Sequence, residues 1–285
     1  MKKRSFVVIL LILAVVLTLS MTACDSIFVN KADPTRYYID IGTVDDARTA
    51  SIVANNNIAS CVRVIAEYKN GSTITTSALS GFIISENGYV LTNRHGVVRF
   101  SSTSSDVPQN ASDKPMSADY SVVFADNIQY KEVKLIAYSL SADLAVLKID
   151  MPLLSNKFQP VVFETQRKLY YGERLYTIGN PENIGLVLSE LTVGNPEIKL
   201  NSGDSFNSIV LDGNINHGNS GGPVFNAYSR VCGIICSRIG IDGGSTYGLS
   251  CAIPTSTIIG FLDSIKNAKI NYKTTPVSTG SGEAA

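Results

Sequence analysis

The sequence predicts an all-β fold of packed β-barrels, and three observations carry that prediction. Short apolar, β-branched runs recur between residues 61 and 253, clusters of turn-forming residues separate them, and only one stretch near the C-terminus has a clear helical period. Many strands without intervening helices suit closed antiparallel sheets rather than alternating strands and helices.

The first 23 residues stand apart from that domain. Lys2, Lys3 and Arg4 precede an uncharged apolar run over 6–19, and small residues lead into Cys24. This is the pattern of a secretory signal peptide, which takes no part in the fold. An uncleaved anchor or ordinary secretion is the alternative, although the run falls short of the ~20 residues of a typical spanning helix. Met21-Thr22-Ala23-Cys24 resembles a bacterial lipobox, with Met21 where leucine is usual. The resemblance implies cleavage before Cys24, lipidation of its thiol and an extracytoplasmic protein anchored to the bacterial cell membrane. Residues 24–44 are polar and contain Asp33-Pro34, and they read as a tether.

A short helix is predicted over 44–55, then strands over 61–68 and 82–85. Glu86-Asn87-Gly88 joins the latter to a strand over 89–92, and Asn-Gly between apolar runs signals a hairpin. Residues 101–117, rich in Ser, Asp, Asn and Pro, read as an exposed loop. Further strands are predicted over 121–125, 132–138, 144–149, 174–178, 186–193, 208–211, 231–236 and 247–253. The helical stretch covers 254–267, where Ile258, Phe261, Leu262 and Ile265 share one face and Pro254 stands near the start. The segment 271–285 is expected to be a disordered tail.

The whole chain balances 24 basic against 24 acidic residues, and removing the basic leader leaves the remainder about −3. With no basic stripe, no nucleic-acid partner is expected. Besides Cys24 there are Cys61, Cys232, Cys236 and Cys251, in neither a metal-site nor a disulfide-rich pattern. Buried thiols are the favoured reading, with a Cys236–Cys251 bridge between neighbouring strands as the alternative. No metal or other cofactor is called for.

The chemistry centres on Gly218-Asn219-Ser220-Gly221-Gly222-Pro223. Small residues allow a tight turn that exposes a serine hydroxyl. An oxyanion hole is assigned to Gly218, Asn219 and Ser220, with the amides of Gly218 and Ser220 aimed at one point. His95, one of only two histidines, and Asp143, just before an apolar strand, supply a general base and the carboxylate that orients it. The order His95, Asp143, Ser220 is that of chymotrypsin-type enzymes.

Over about residues 50–265 the chain resembles trypsin-like serine proteases of the HtrA (DegP-like) branch. The likeness rests on Ser80-Gly81-Phe82-Ile83-Ile84-Ser85, Gly88-Tyr89-Val90-Leu91-Thr92-Asn93, Asp143-Leu144-Ala145-Val146-Leu147-Lys148-Ile149, Ile178-Gly179-Asn180-Pro181, Ile215-Asn216 with the serine motif, and Ala252-Ile253-Pro254. It implies two six-stranded antiparallel β-barrels with a C-terminal helix, a protease domain over 45–270 and catalytic roles for His95, Asp143 and Ser220. It further implies a specificity pocket at Asn214, Ile215, Cys236, Ser237 and Arg238, although these residues also fit a barrel core. Asn214, where digestive trypsins carry aspartate, disfavours cleavage after basic residues. Unfolded or misfolded proteins are the implied substrates, and a homo-oligomer is left open.

Three departures qualify the likeness. Gly96 follows the histidine where the family has an apolar residue, His217 stands where it has proline, and too few residues follow the helix for the family's PDZ domain. Loss of the proline restraint is expected to loosen the oxyanion loop. The reading is an exported serine endopeptidase in protein quality control, the alternative a surface-anchored, inactive protease-fold scaffold.

Overall fold

In the computed structural model the described residues are 46–276 except 71, 101–107, 109–112, 151–158, 201–204 and 242–243, and the side chains of 46, 47, 70 and 237–247 are outside the description. The leader, Cys24 and the tether therefore lie outside it. Helix α1 (Asp46–Asn57) precedes strands β1 (Cys61–Asn70), β2 (Thr73–Ile83), β3 (Tyr89–Asn93), β4 (Ala118–Phe124), β5 (Gln129–Ser139) and β6 (Leu144–Ile149). These six close in the order β1-β2-β3-β6-β5-β4, β4 pairing back to β1.

The second half contributes β7 (Val162–Phe163), β8 (Arg174–Gly179), β9 (Val187–Ile198), β10 (Ser208–Asp212), β11 (Pro223–Phe225), β12 (Val231–Ile241), β13 (Gly244–Pro254), helix α2 (Thr255–Ser264) and β14 (Lys273–Thr274). Strands β8, β9, β10, β13, β12 and β11 form a second antiparallel ring, closed where β11 pairs with both β8 and β12. The double six-stranded barrel with its C-terminal helix is thus present. β7 and β14 extend it by parallel pairs.

Strand periodicity explains how the barrels pack. Val62, Val64 and Ala66 of β1 point into the first barrel with Val90, Ala145 and Leu147, while Leu175, Val193, Leu211, Ile235 and Ala252 fill the second. Residues of the opposite parity, including Cys61, Phe82, Leu91, Val146, Tyr176, Ile178 and Ile253, form a third apolar layer with Val53 of α1 and Ile258 and Leu262 of α2. β6 is apolar apart from the part-buried Lys148 because both of its faces are covered.

Two elements depart from expectation. β2 begins nine residues earlier than the predicted strand, as its Thr-rich first half pairs with β1 along its whole length while facing solvent. The segment expected to be tail opens with β14, and the Thr275 amide donates to Phe163 O at 2.9 Å. Among the described residues no helix is long and apolar enough to cross a membrane.

Candidate active site

The end of β3, the β5–β6 turn and the turn before β11 carry His95, Asp143 and Ser220. Arg94–Gly96 form a single 3₁₀ turn directly after β3, which lifts His95 out of the sheet. Asp143 adopts a left-handed backbone with φ of 51°. Its carbonyl accepts from the Arg94 amide (3.1 Å) and from Asn93 Nδ2 (3.0 Å), fastening the β5–β6 turn to the histidine turn.

The carboxylate is oriented by three donors. Oδ2 lies 2.7 Å from His95 Nδ1, Oδ1 accepts the His95 amide at 2.9 Å, and Arg94 Nη2 stands 3.4 Å from Oδ1. An ionised carboxylate can only accept, so Nδ1 carries the proton and Nε2 is left as the basic nitrogen. The Arg94 side chain, beside His95 in sequence, is 6% exposed and places a permanent cation against Asp143, a role sequence reading did not assign.

Ser220 sits in a turn packed onto the same strand end. Gly221 (φ +85°) is required there: a Cβ would come 2.1 Å from Ser80 O and 2.5 Å from Thr92 Oγ1. The Ser80 amide donates to Ser220 O at 2.9 Å. The Ser220 hydroxyl donates to Cys236 O at 3.3 Å, so its one proton is directed at β12 rather than at the imidazole.

The oxyanion residues divide. The Asn219 amide donates to Asn216 O (3.1 Å) inside its own turn, so it is removed from the hole assigned to Gly218, Asn219 and Ser220. Among the described residues the amides of Gly218 and Ser220 donate to no backbone carbonyl. Gly218 (φ +93°) admits no side chain, because a Cβ would lie 2.1 Å from Asn180 O. The Glu182 amide donates to His217 O at 2.7 Å, and since N–H and C=O of a trans peptide point opposite ways, the Gly218 N–H is turned away from Glu182.

Ser80 ties this loop down, a role its motif position did not disclose. The buried hydroxyl donates to Gly218 O (2.6 Å) and accepts the Asn180 amide (2.8 Å), while Ser80 O accepts from Thr92 Oγ1 (2.7 Å). The loop therefore has anchors at Asn216, His217 and Gly218 without the proline, while the His217 side chain is exposed. Gly96 has an equally local reason: a Cβ would lie 2.4 Å from Leu79 Cδ1, which occupies the space of an apolar side chain.

One consequence is testable at Ser80. Ser80→Ala leaves the Asn180 amide and Gly218 carbonyl without their shared partner, at a cost of about 1–3 kcal/mol in stability. A displaced oxyanion donor is expected to lower kcat on a peptide substrate by about tenfold or more. A reduced Tm with unchanged kcat would restrict Ser80 to a structural role.

The assigned specificity residues are not one wall. Ile215 is 5% exposed and packs with the interior of the second barrel, so that assignment is corrected. Asn214 is exposed, and Cys236 is half-buried with Sγ 2.8 Å from Cys251 Sγ. The side chains of Ser237 and Arg238 lie outside the described residues.

Residues 79–234 match the family described as Trypsin-like peptidase domain. A probable periplasmic serine endoprotease, DegP-like, from Brucella suis is 35% identical over 178 residues, covering 62% of this chain and 31% of that protein. Protease Do-like 1, chloroplastic, from Arabidopsis thaliana is 28% identical over 221 residues, covering 76% and 45%. Among solved structures, the HtrA-type protease AlgW with tripeptide superposes with a TM-score of 0.60 at 23% identity, over 76% of this chain and 63% of that one. The chain spans about a third of the length of the DegP-like relatives.

Proposed function

The chain belongs to the trypsin-like peptidase family, and from that membership we propose that it is an exported serine endopeptidase acting on unfolded protein segments. The observation that carries the reading is the His95–Asp143 pair, bonded at 2.7 Å and joined through Thr92 and Ser80 to the turn of Ser220.

The reaction begins when the Ser220 hydroxyl leaves Cys236 O and turns to His95. Nε2 takes its proton as Oγ attacks the scissile carbonyl carbon, and Asp143 Oδ2 stabilises the imidazolium through Nδ1–H. The Gly218 and Ser220 amides receive the oxyanion. The imidazolium then protonates the departing amine, leaving an acyl-enzyme on Ser220. Water, deprotonated by His95, attacks that ester and frees the carboxylic acid product. Arg94 and the His95 amide hold the carboxylate through both steps.

Location and substrate class are supported by the leader sequence and by the DegP-like relatives, which are described as probable periplasmic serine endoproteases. Purified protein should degrade casein, which is open-chained, well before a folded domain of similar size. Equal cleavage of both, or of neither, would contradict the substrate reading.

Anchoring is proposed at Cys24. Cys24→Ala is expected to move the protein from the membrane fraction to the soluble one or to block leader cleavage, since stable attachment needs two lipid signals or more than one chain. A mature N-terminus other than a lipidated Cys24 would contradict it.

A further inference from the structure

We propose that Cys236 and Cys251 are a site of reversible oxidation, forming a disulfide that tunes the activity of Ser220; the effect on activity rests on the peptidase reading above. Their sulfurs are 2.8 Å apart, against about 2.0 Å for the covalent bond, and Cys236 Sγ also lies 3.3 Å from Cys251 O.

The placement follows from the register of the β12–β13 pair. Ile235 faces Ala252 and Ser237 faces Cys251, so Cys236 is the extra residue of a bulge. Ile235 and Ala252 both point into the second barrel. The two cysteines, one residue away on each strand, therefore meet on the other face. A slip of the register by one residue would separate them.

The other two described cysteines differ. Cys61 and Cys232 are buried, and burial pushes both thiols up, keeping them protonated. They serve as internal controls. Cys236 is the accessible member of its pair and Cys251 is 3% exposed, which fixes the order of steps.

The oxidant is a disulfide, carried by a low-molecular-weight thiol or an exported oxidoreductase. The Cys236 thiolate attacks one of its sulfurs, forming a mixed disulfide and expelling the other sulfur as a thiolate with the bonding electron pair. The Cys251 thiolate then attacks Cys236 Sγ and expels the second thiolate. In total two thiols lose two protons and two electrons, and the oxidant is reduced to two thiols.

The bond matters to the site because of what Cys236 carries. Ile235 is tied to the serine turn by two backbone bonds, from Gly221 N to its carbonyl and from its amide to Gly222 O, both 2.9 Å. The next carbonyl, of Cys236, is the acceptor of the Ser220 hydroxyl. As a bulged residue Cys236 lacks a place in the regular ladder, and the disulfide would pin it to β13. Reduction frees that acceptor and the serine rotamer that depends on it.

The test uses the full exported protein, alkylated with iodoacetamide and digested without reductant. The expected result is a peptide pair joined through Cys236 and Cys251, about 2 Da lighter than the reduced pair, with Cys61 and Cys232 alkylated only after unfolding. In dithiothreitol, kcat/KM on a peptide should rise about three- to tenfold, because the Ser220 hydroxyl then leaves Cys236 O more readily for His95, a fraction of the change produced by displacing a reacting group by a full ångström. Cys251→Ala should sit at the reduced value and ignore the reductant. Should that variant fail to fold, titrating wild type between oxidised and reduced dithiothreitol decides the matter. Ser220→Ala must show the same linkage, which separates failure of this inference from failure of the peptidase reading. Alkylation of both cysteines in the native exported protein, or a bridge whose reduction leaves kcat/KM unchanged, would overturn it.

Discussion

Ser220→Ala is expected to lower kcat on a peptide substrate by ~10⁶, the loss typical of removing a triad nucleophile, while leaving the fold intact. The hydroxyl makes one bond, to Cys236 O at 3.3 Å, and the side chain is only part-buried. Its removal opens no cavity and strands no buried donor. The turn itself is held by backbone: Ser80 N to Ser220 O, Gly221 N to Ile235 O and Gly222 N to Asn219 O. Circular dichroism and Tm should therefore match wild type. Comparable turnover by the variant would mean that the acyl group is carried elsewhere or that the activity comes from a contaminant.

Asp143→Asn is expected to cost ~10⁴ in kcat, for a reason read directly from the donors around the carboxylate. Both oxygens are needed as acceptors: Oδ2 for His95 Nδ1–H, Oδ1 for the His95 amide and Arg94. An amide offers one oxygen and one NH₂. If the oxygen keeps the backbone amide, the NH₂ faces Nδ1 and drives the imidazole proton to Nε2, where it blocks proton transfer from Ser220. If it turns the other way, the NH₂ meets the His95 amide and the Arg94 cation. Asparagine tolerates the left-handed backbone that Asp143 adopts, so the turn should survive and isolate the electronic effect. Retention of more than about a tenth of wild-type kcat would show that His95 does not depend on Asp143 for its tautomer.

The architecture was legible in the sequence because its cues are local. Alternation in β1, the Asn87-Gly88 turn and the doubly covered run of β6 depend on side-chain parity and backbone preference alone. The first half of β2 was not: Thr73–Ala78 hold hydroxyls, small groups and the exposed Ile74 toward solvent, and only pairing with β1 makes them a strand. β14 escaped notice for the same reason, being two exposed residues fixed by Phe163.

The site shows a similar division. His95, Asp143 and Ser220 stand out because each lies at a strand end inside a distinctive motif. What positions them does not. Ser80 bridges Gly218 and Asn180 across 138 and 100 residues of chain, a relation no local pattern encodes. Arg94 reaches Asp143 only because the β5–β6 turn folds through a left-handed residue. His217 was read as removing a restraint from the serine loop, and the bonds from Glu182 and Ser80 that hold the loop's carbonyls come from elements distant in sequence. Ile215 was drawn to the pocket by proximity in sequence, whereas it packs into the core of the second barrel.

The central claim is that Ser220 becomes a nucleophile through His95, and labelling with a fluorophosphonate tests it most directly. The reagent bonds covalently to an activated serine and needs no knowledge of the substrate. Intact mass and peptide mapping should show one adduct, on Ser220 of the wild-type chain, and none on His95→Ala under the same conditions. A folded wild-type protein that stays unlabelled, or one labelled equally when His95 is replaced, would contradict the account.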